Sequence, residues 1–194
     1  NETDGNIDAA VKWLRERGMA QASKRAGRVA SEGSVMSYIH MGGKIGVLVE
    51  INCETDFAAR SEPFQTFCKD VCLQVCSASP RWVAREDVPQ SDIDTEKEIY
   101  IVRARATGKP EKVLEKIAEG MLVKWFKEVC LMEQDFVKNP DQTIEQLMKE
   151  LTGRIGEKIA VRRFARFQLG EGIEKKQANL ADEVAQAIAD SKGN

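Results

Sequence analysis

One histidine, five cysteines and a tight group of three arginines are the side chains of this 194-residue chain best suited to chemistry. A neutral imidazole is the commonest general base and zinc ligand, and His40 is the only one in the sequence, so any such site must be built around it. It falls in a β-rich run, where a structural hydrogen bond is the favoured reading. Cys68, Cys72 and Cys76 recur every four residues and so share one helix face. Three thiols spread over two turns make a poor tetrahedral metal site, and their face also carries Phe64 and Val71, which points to core packing. Cys53 and Cys130 read the same way, with a thiol nucleophile at Cys53 activated by His40 as the weaker alternative. Arg162, Arg163 and Arg166 have the charge to touch phosphate, although solvation or pairing with acids is the ordinary fate of such a group. The nearest approach to a phosphate-binding G-x-x-x-x-G-K-[ST] loop runs from Gly153 through Gly156 to Lys158 and has the wrong spacing. No catalytic residue, metal site or cofactor loop emerges. The residues describe a binding module.

Composition narrows the class further. With 29 Lys and Arg against 31 Asp and Glu, no net positive charge is available to hold a phosphate backbone, and nucleic acid is not the expected direct partner. Hydrophobic residues make up 42% and charged residues 31%, which suits one or two compact soluble domains. No apolar stretch approaches the roughly 20 residues of a membrane helix, so no membrane partner is expected. Residues 1–6 lack the order of a signal peptide and include no Met, which suggests a start inside a longer protein. Five cysteines in a chain of this length fit a reduced intracellular compartment.

The elements that must position these residues can be read from periodicity and breakers. Ile7, Ala10, Val11 and Leu14 follow Asn6, a good N-cap, and predict a short helix over 7–17 that stops at Gly18. Residues 19–31 read as a partly helical basic connector. Val35 to Met41 and Lys44 to Asn52 form a hairpin around Gly42-Gly43. Ser61 and Pro63 open a helix with Phe64, Phe67, Cys68, Val71, Cys72 and Val75 on the face toward that hairpin. Helices from about Asp92 and from Pro110 should form an antiparallel pair. Thr143 caps a further helix, broken at Gly153 and Gly156. Ile159, Val161, Ala165, Phe167 and Leu169 then alternate as a strand, with Arg163 and Phe164 out of phase. Residues from Gly170 to Lys176 are a linker, and a last helix carries Leu180, Val184, Ala187 and Ile188. Strands and helices come in blocks, so the fold class is α+β, an antiparallel sheet packed with helices. A short N-terminal helical segment and a C-terminal helical module flank it.

Between the second strand and the next helix lies Asn52-Cys53-Glu54-Thr55-Asp56-Phe57. A Phe there either tucks beneath its own domain, the usual outcome for a loop aromatic, or faces outward, and residue physics leaves both open. This run, placed after a glycine hairpin and before a helix, resembles the hallmark of the elongation factor Ts family. Tyr38-Ile39-His40, Gly46 to Glu50, Leu131 to Gln134, Phe136 to Lys138, Val161 to Phe164, Arg166-Phe167 and Gly170 to Lys176 are similar to that family in the same order, across nearly the whole chain. Departures are Ala58 where Val is common, Asp135 where Pro is usual, Met121 where a basic residue is typical, and Lys158 where Asn is typical.

The resemblance implies a guanine-nucleotide exchange factor, not an enzyme of covalent chemistry and without a cofactor. It would bind elongation factor Tu, displace its Mg²⁺ and promote GDP release. Thr55, Asp56, Phe57 and Ala58 would be the partner-binding residues, with Leu180, Val184, Ala187 and Ile188 as a second grip. It also implies three segments: 1–31, the last part of an N-terminal helical module with its connector; 32–169, the core; and 170–194, the linker and C-terminal module. The core matches the short family form, implying a homodimer in the bacterial cytoplasm or an organelle matrix. A structural or RNA-associated translation protein is the alternative.

Overall fold

The computed structural model of the chain describes residues 2, 3 and 6–173. Its core is a three-stranded antiparallel sheet in the order β1 (Glu32–Ile39), β2 (Ile45–Cys53), β5 (Ala160–Gln168). The β1–β2 turn is made where expected, with Gly42 and Gly43 both at positive φ, 83° and 67°. One face of the sheet is covered by α3 (Glu62–Ala78). Its apolar face buries Phe64, Phe67, Cys68, Val71, Cys72 and Val75 against Val47, Val49 and Ile51 of β2, as the spacing predicts. The short helix α2 (Asp56–Arg60) joins sheet to α3.

Helices α4 (Gln90–Ala106) and α5 (Glu111–Val129) form the expected antiparallel pair, closed over a second cluster of Val88, Tyr100, Ala118, Leu122, Trp125 and Cys130. Trp82 meets Trp125 edge-on, with centroids 5.8 Å apart. The join between the two cores is polar. Fully buried Gln74 donates through Nε2 to Gln134 Oε1 (3.1 Å) and to the Asp135 carbonyl (3.2 Å), and its Oε1 accepts from Val137 N (2.9 Å). Gln134 Nε2 then donates to the Glu128 carbonyl at 2.7 Å, tying α3 to the end of α5. A small hairpin, β3 (Asp135–Phe136) and β4 (Asn139–Thr143), follows. Its two- and five-residue strands are too short to leave a period in the sequence. Thr143 caps α6 (Ile144–Ile155) with a reciprocal Gln146 bond, and Gly156 ends it at φ 84°.

Two expectations are corrected. The first helix, α1 (Ile7–Arg25), runs straight through Gly18, and Ile7 and Val11 stay exposed. Gly18 serves a crossing instead: it faces Gly153 of α6 so closely that a Cβ at Gly153 would stand 2.6 Å from Gly18 Cα. Two helix glycines are the condition for that approach, which is why neither breaks its helix. In β5, Glu50 pairs with Arg163 but Ile51 pairs with Val161, so Arg162 is an extra residue, a β-bulge. The bulge inverts the alternation beyond it. Phe164 turns inward against the core, whereas Phe167 and Leu169, read from periodicity as inward, are 68% and 75% exposed. It also sends Arg162 and Arg163 to the same side, where Arg162 Nη1 and Arg163 Nε each donate to the Glu50 carboxylate at 2.7 Å.

Gly153→Ala should leave the sheet intact but displace α1, because gained helix propensity cannot offset a backbone collision. Amide hydrogen exchange should rise across α1 and stay unchanged in β2. Equal protection of α1 in both proteins would refute the close crossing.

Hydrogen bonds from Arg162 and then Arg163 hold the Glu50 carboxyl below the ordinary carboxylate range. A carboxylate lowered on folding stabilises fully above its unfolded value and loses that contribution as pH falls through the folded one. Melting temperature of the parent should therefore fall more steeply than that of Glu50→Gln below about pH 4.5, the two curves converging in acid. Parallel curves would show that the arginine clasp is energetically silent.

Candidate functional site

β2 ends at Cys53, fully buried, whose Sγ donates to the Thr55 carbonyl at 3.1 Å. The chain then turns through α2, a helix of five residues, too short to persist on its own. Side chains hold both of its ends. Thr55 Oγ1 accepts from Ala58 N at 3.3 Å, Ser61 Oγ donates to the Ala58 carbonyl and Gln65 Nε2 to the Ala59 carbonyl, each at 2.7 Å. Ala58 and Ala59 are buried in the main core, and this inward pair fixes which way the turn faces. Phe57 is thereby left 82% exposed. Of the two placements open for that ring, the structure has the outward one.

Asp56 beside it pairs with Arg60, four residues on, at 2.8 Å. Both side chains are well exposed, and such a pair contributes no more than about 1 kcal/mol, so the carboxylate can exchange partners at little cost. Beneath the turn, Glu157 accepts from Thr55 N (3.0 Å) and Thr55 Oγ1 (2.7 Å), while Glu54 accepts from Lys158 N (2.7 Å). Periodicity could not have found Glu157, which is 102 residues from Thr55 in sequence. The sequence places Thr55 to Phe57 between the second strand and the helix opened by Ser61; in the structure Thr55 caps a separate short helix that Asp56 and Phe57 begin.

The remaining sequence candidates scatter. Cys53 pairs with Glu32 at one end of the eight-residue β1, and His40 lies just beyond the other end, roughly 26 Å along the strand at about 3.3 Å per residue. His40 Nδ1 lies 3.1 Å from Tyr38 Oη, a hydrogen bond within that pair. Burial raises the Cys53 thiol above its ordinary range, the opposite of nucleophile activation, and His40 is out of its reach, so the two do not form a thiol–imidazole pair. Burial likewise pushes Cys68 up to about 12, and Cys72 and Cys130 up to about 11. These are core thiols. Arg162 and Arg163 share Glu50 on the outer face, while Arg166, opposite Val47, points to the other side and donates to Gln168 at 3.0 Å. The three arginines do not form one basic surface. Leu180, Val184, Ala187 and Ile188 lie outside the described residues.

Across the sheet from α3, Val35, Ile39, Leu48 and Phe167 are all exposed, an apolar patch on all three strands beside the Glu50–Arg162–Arg163 cluster. Among the described residues, no helix is long and apolar enough to cross a membrane.

The family profile described as Elongation factor TS matches residues 7–171, spanning the hairpin, the capped turn and both cores. A protein named Elongation factor Ts from Geobacter sulfurreducens is 58% identical over 186 residues, covering 96% of this chain and 86% of that protein. One of the same name from Heliobacterium modesticaldum is 53% identical over the same shares. Another, from Carboxydothermus hydrogenoformans, is 52% identical over 98% of this chain and 88% of that protein. The profile match and the similarity over nearly all of this chain show the family: the chain belongs to the elongation factor Ts family, a family of translation elongation factors.

Proposed function

We propose that the protein binds elongation factor Tu in the bacterial cytoplasm and drives guanine nucleotide off it, with Asp56 and Phe57 as the element that enters the partner. The observation that carries this reading is a Phe ring 82% exposed on a turn whose neighbours Ala58 and Ala59 are rooted in the core. An exposed aromatic on a held backbone has already met the ordering cost that a flexible loop meets on binding.

Bound Mg²⁺ neutralises nucleotide phosphates, so moving its ligands in the partner weakens nucleotide binding. By linkage, whatever the factor does to nucleotide affinity the nucleotide does to the factor's affinity. Phe57 supplies apolar contact and Asp56, released from Arg60, supplies charge or hydrogen bonding. No covalent bond is made or broken. Burying one Phe contributes about 2 kcal/mol and each tenfold in rate needs about 1.4, so the ring accounts for at most about thirtyfold. The rest belongs to a wider contact, to which we assign the C-terminal segment with Leu180, Val184, Ala187 and Ile188 as a second grip. In this reading 1–31 and 170–194 flank the exchange core at 32–169. A direct nucleic-acid role draws no support from the divided arginines.

Phe57→Ala should slow GDP release from a cognate elongation factor Tu by about tenfold or more at saturating Mg²⁺. Its own melting temperature should stay within about 2 °C, since an exposed ring is not core. Chelating Mg²⁺ should narrow the gap between variant and parent. A gap unchanged by chelation would remove the magnesium step; loss of about 3 to 5 kcal/mol of folding stability would mean the ring is buried at home.

The apolar patch on the outer sheet face supports a homodimer in which two such patches meet. Light scattering at tens of micromolar should give twice the chain mass, and Leu48→Glu should halve it without loss of cooperative melting. A parent protein already monomeric at that concentration would refute the dimer.

A further inference from the structure

Two loops far apart in sequence hold each other by the same device. The carboxylate of Glu157 takes the main-chain N–H of Thr55 (3.0 Å), and the carboxylate of Glu54 takes the main-chain N–H of Lys158 (2.7 Å). Each acid of one loop closes on the backbone of the other. Lys158 Nζ extends the clasp by donating to the Arg28 carbonyl at 2.8 Å, and the Arg28 guanidinium returns to Glu54 at 3.3 Å. The backbone bond from Lys158, followed by the charge of Arg28, keeps the Glu54 carboxyl below its ordinary range, so it is an ionised acceptor at neutral pH.

Glu157 does more than join loops. Its Oε1 lies 2.7 Å from Thr55 Oγ1, and that same hydroxyl oxygen accepts from Ala58 N at 3.3 Å. A hydroxyl that donates to a carboxylate becomes a better acceptor, so the carboxylate strengthens the cap of α2. It also fixes the rotamer that makes the cap possible. Phe57 is the second residue of that helix, and its direction of exit follows from where the first turn starts.

We propose that Glu157 is a positioning residue for exchange: through Thr55 it sets the start of α2 and so aims Asp56 and Phe57 at the partner before contact. The proposal rests on the reading of Phe57 as the element that enters elongation factor Tu. Without the clasp the start of α2 would have to be set during each encounter, although Ala58 and Ala59 would still root its inner side. That cost falls on the step in which nucleotide is loosened, and binding across the wider contact is spared.

The test measures GDP release from a cognate elongation factor Tu over a range of factor concentrations for the parent, Glu157→Ala, Glu157→Gln, Phe57→Ala and the double variant Glu157→Ala/Phe57→Ala. Glu157→Ala should lower the maximal release rate about tenfold, the worth of one or two charge-assisted hydrogen bonds, with the half-saturating concentration within about twofold of the parent. Glu157→Gln keeps one acceptor oxygen and should fall between; it replaces the alanine variant should that one fail to melt cooperatively. In the Phe57→Ala background, loss of Glu157 should cost clearly less than tenfold, because one of the two groups it aims is gone and only Asp56 remains to be positioned. Parent-like release by Glu157→Ala, or losses that multiply in the double variant, would overturn the positioning role while leaving Phe57 in place. Parent-like release by Phe57→Ala would overturn the reading beneath it as well.

Discussion

The packing of α3 onto the inner face of β2 is the constraint from which the rest of the molecule follows. Val47, Val49, Ile51 and Cys53 leave one side of the strand at every second residue, and α3 answers with Phe64, Cys68, Val71 and Val75 at helical spacing, all essentially inaccessible. Slipping the strand by one residue would put Leu48 and Glu50 inside, so the register is fixed by burial alone. Strand and helix are joined by only a few residues, and α2 is the shape the chain takes to bridge them. Ala58 and Ala59 are drawn into the core as a result, and Phe57, one position earlier, is pushed out.

Much of this was legible because it is local. The Gly42-Gly43 turn, the apolar stripe of α3, the Thr143 cap and the paired helices α4 and α5 each follow from neighbours in sequence. What failed did so where a distant contact overrode a local rule. Gly18 reads as a helix stop until Gly153, on another helix, is seen to need its bare Cα. The strand near the C-terminus reads as a regular alternation until Arg162 is found to be surplus to its pairing with β2, so that Phe167 ends on the outer face. The broken alternation at Arg163 and Phe164 was the visible trace of that bulge, which brings two arginines to the one Glu50 carboxylate.

The candidate site divides in the same way. Thr55, Asp56 and Phe57 stand out as a motif, and the resemblance they carry is matched by relatives along nearly the whole chain. Glu157 does not stand out, because an acid after a helix-ending glycine has many ordinary explanations and its partner is 102 residues away. The direction of Phe57 was likewise beyond reach. Exposure of one ring depends on the burial of the two alanines after it, and composition does not rank those outcomes. A side chain that would normally be hidden is held outside by four capping or clasping side chains, Thr55, Ser61, Gln65 and Glu157.

The most direct measurement is therefore of where the ring goes. With Phe57 replaced by the photoreactive p-benzoylphenylalanine, irradiation in the presence of nucleotide-free elongation factor Tu should join the two proteins through the nucleotide-binding domain, and excess GDP should suppress the product. Cross-linking only within the factor's own chain, or to elongation factor Tu equally well with and without GDP, would contradict an exposed ring that enters the partner to loosen its nucleotide.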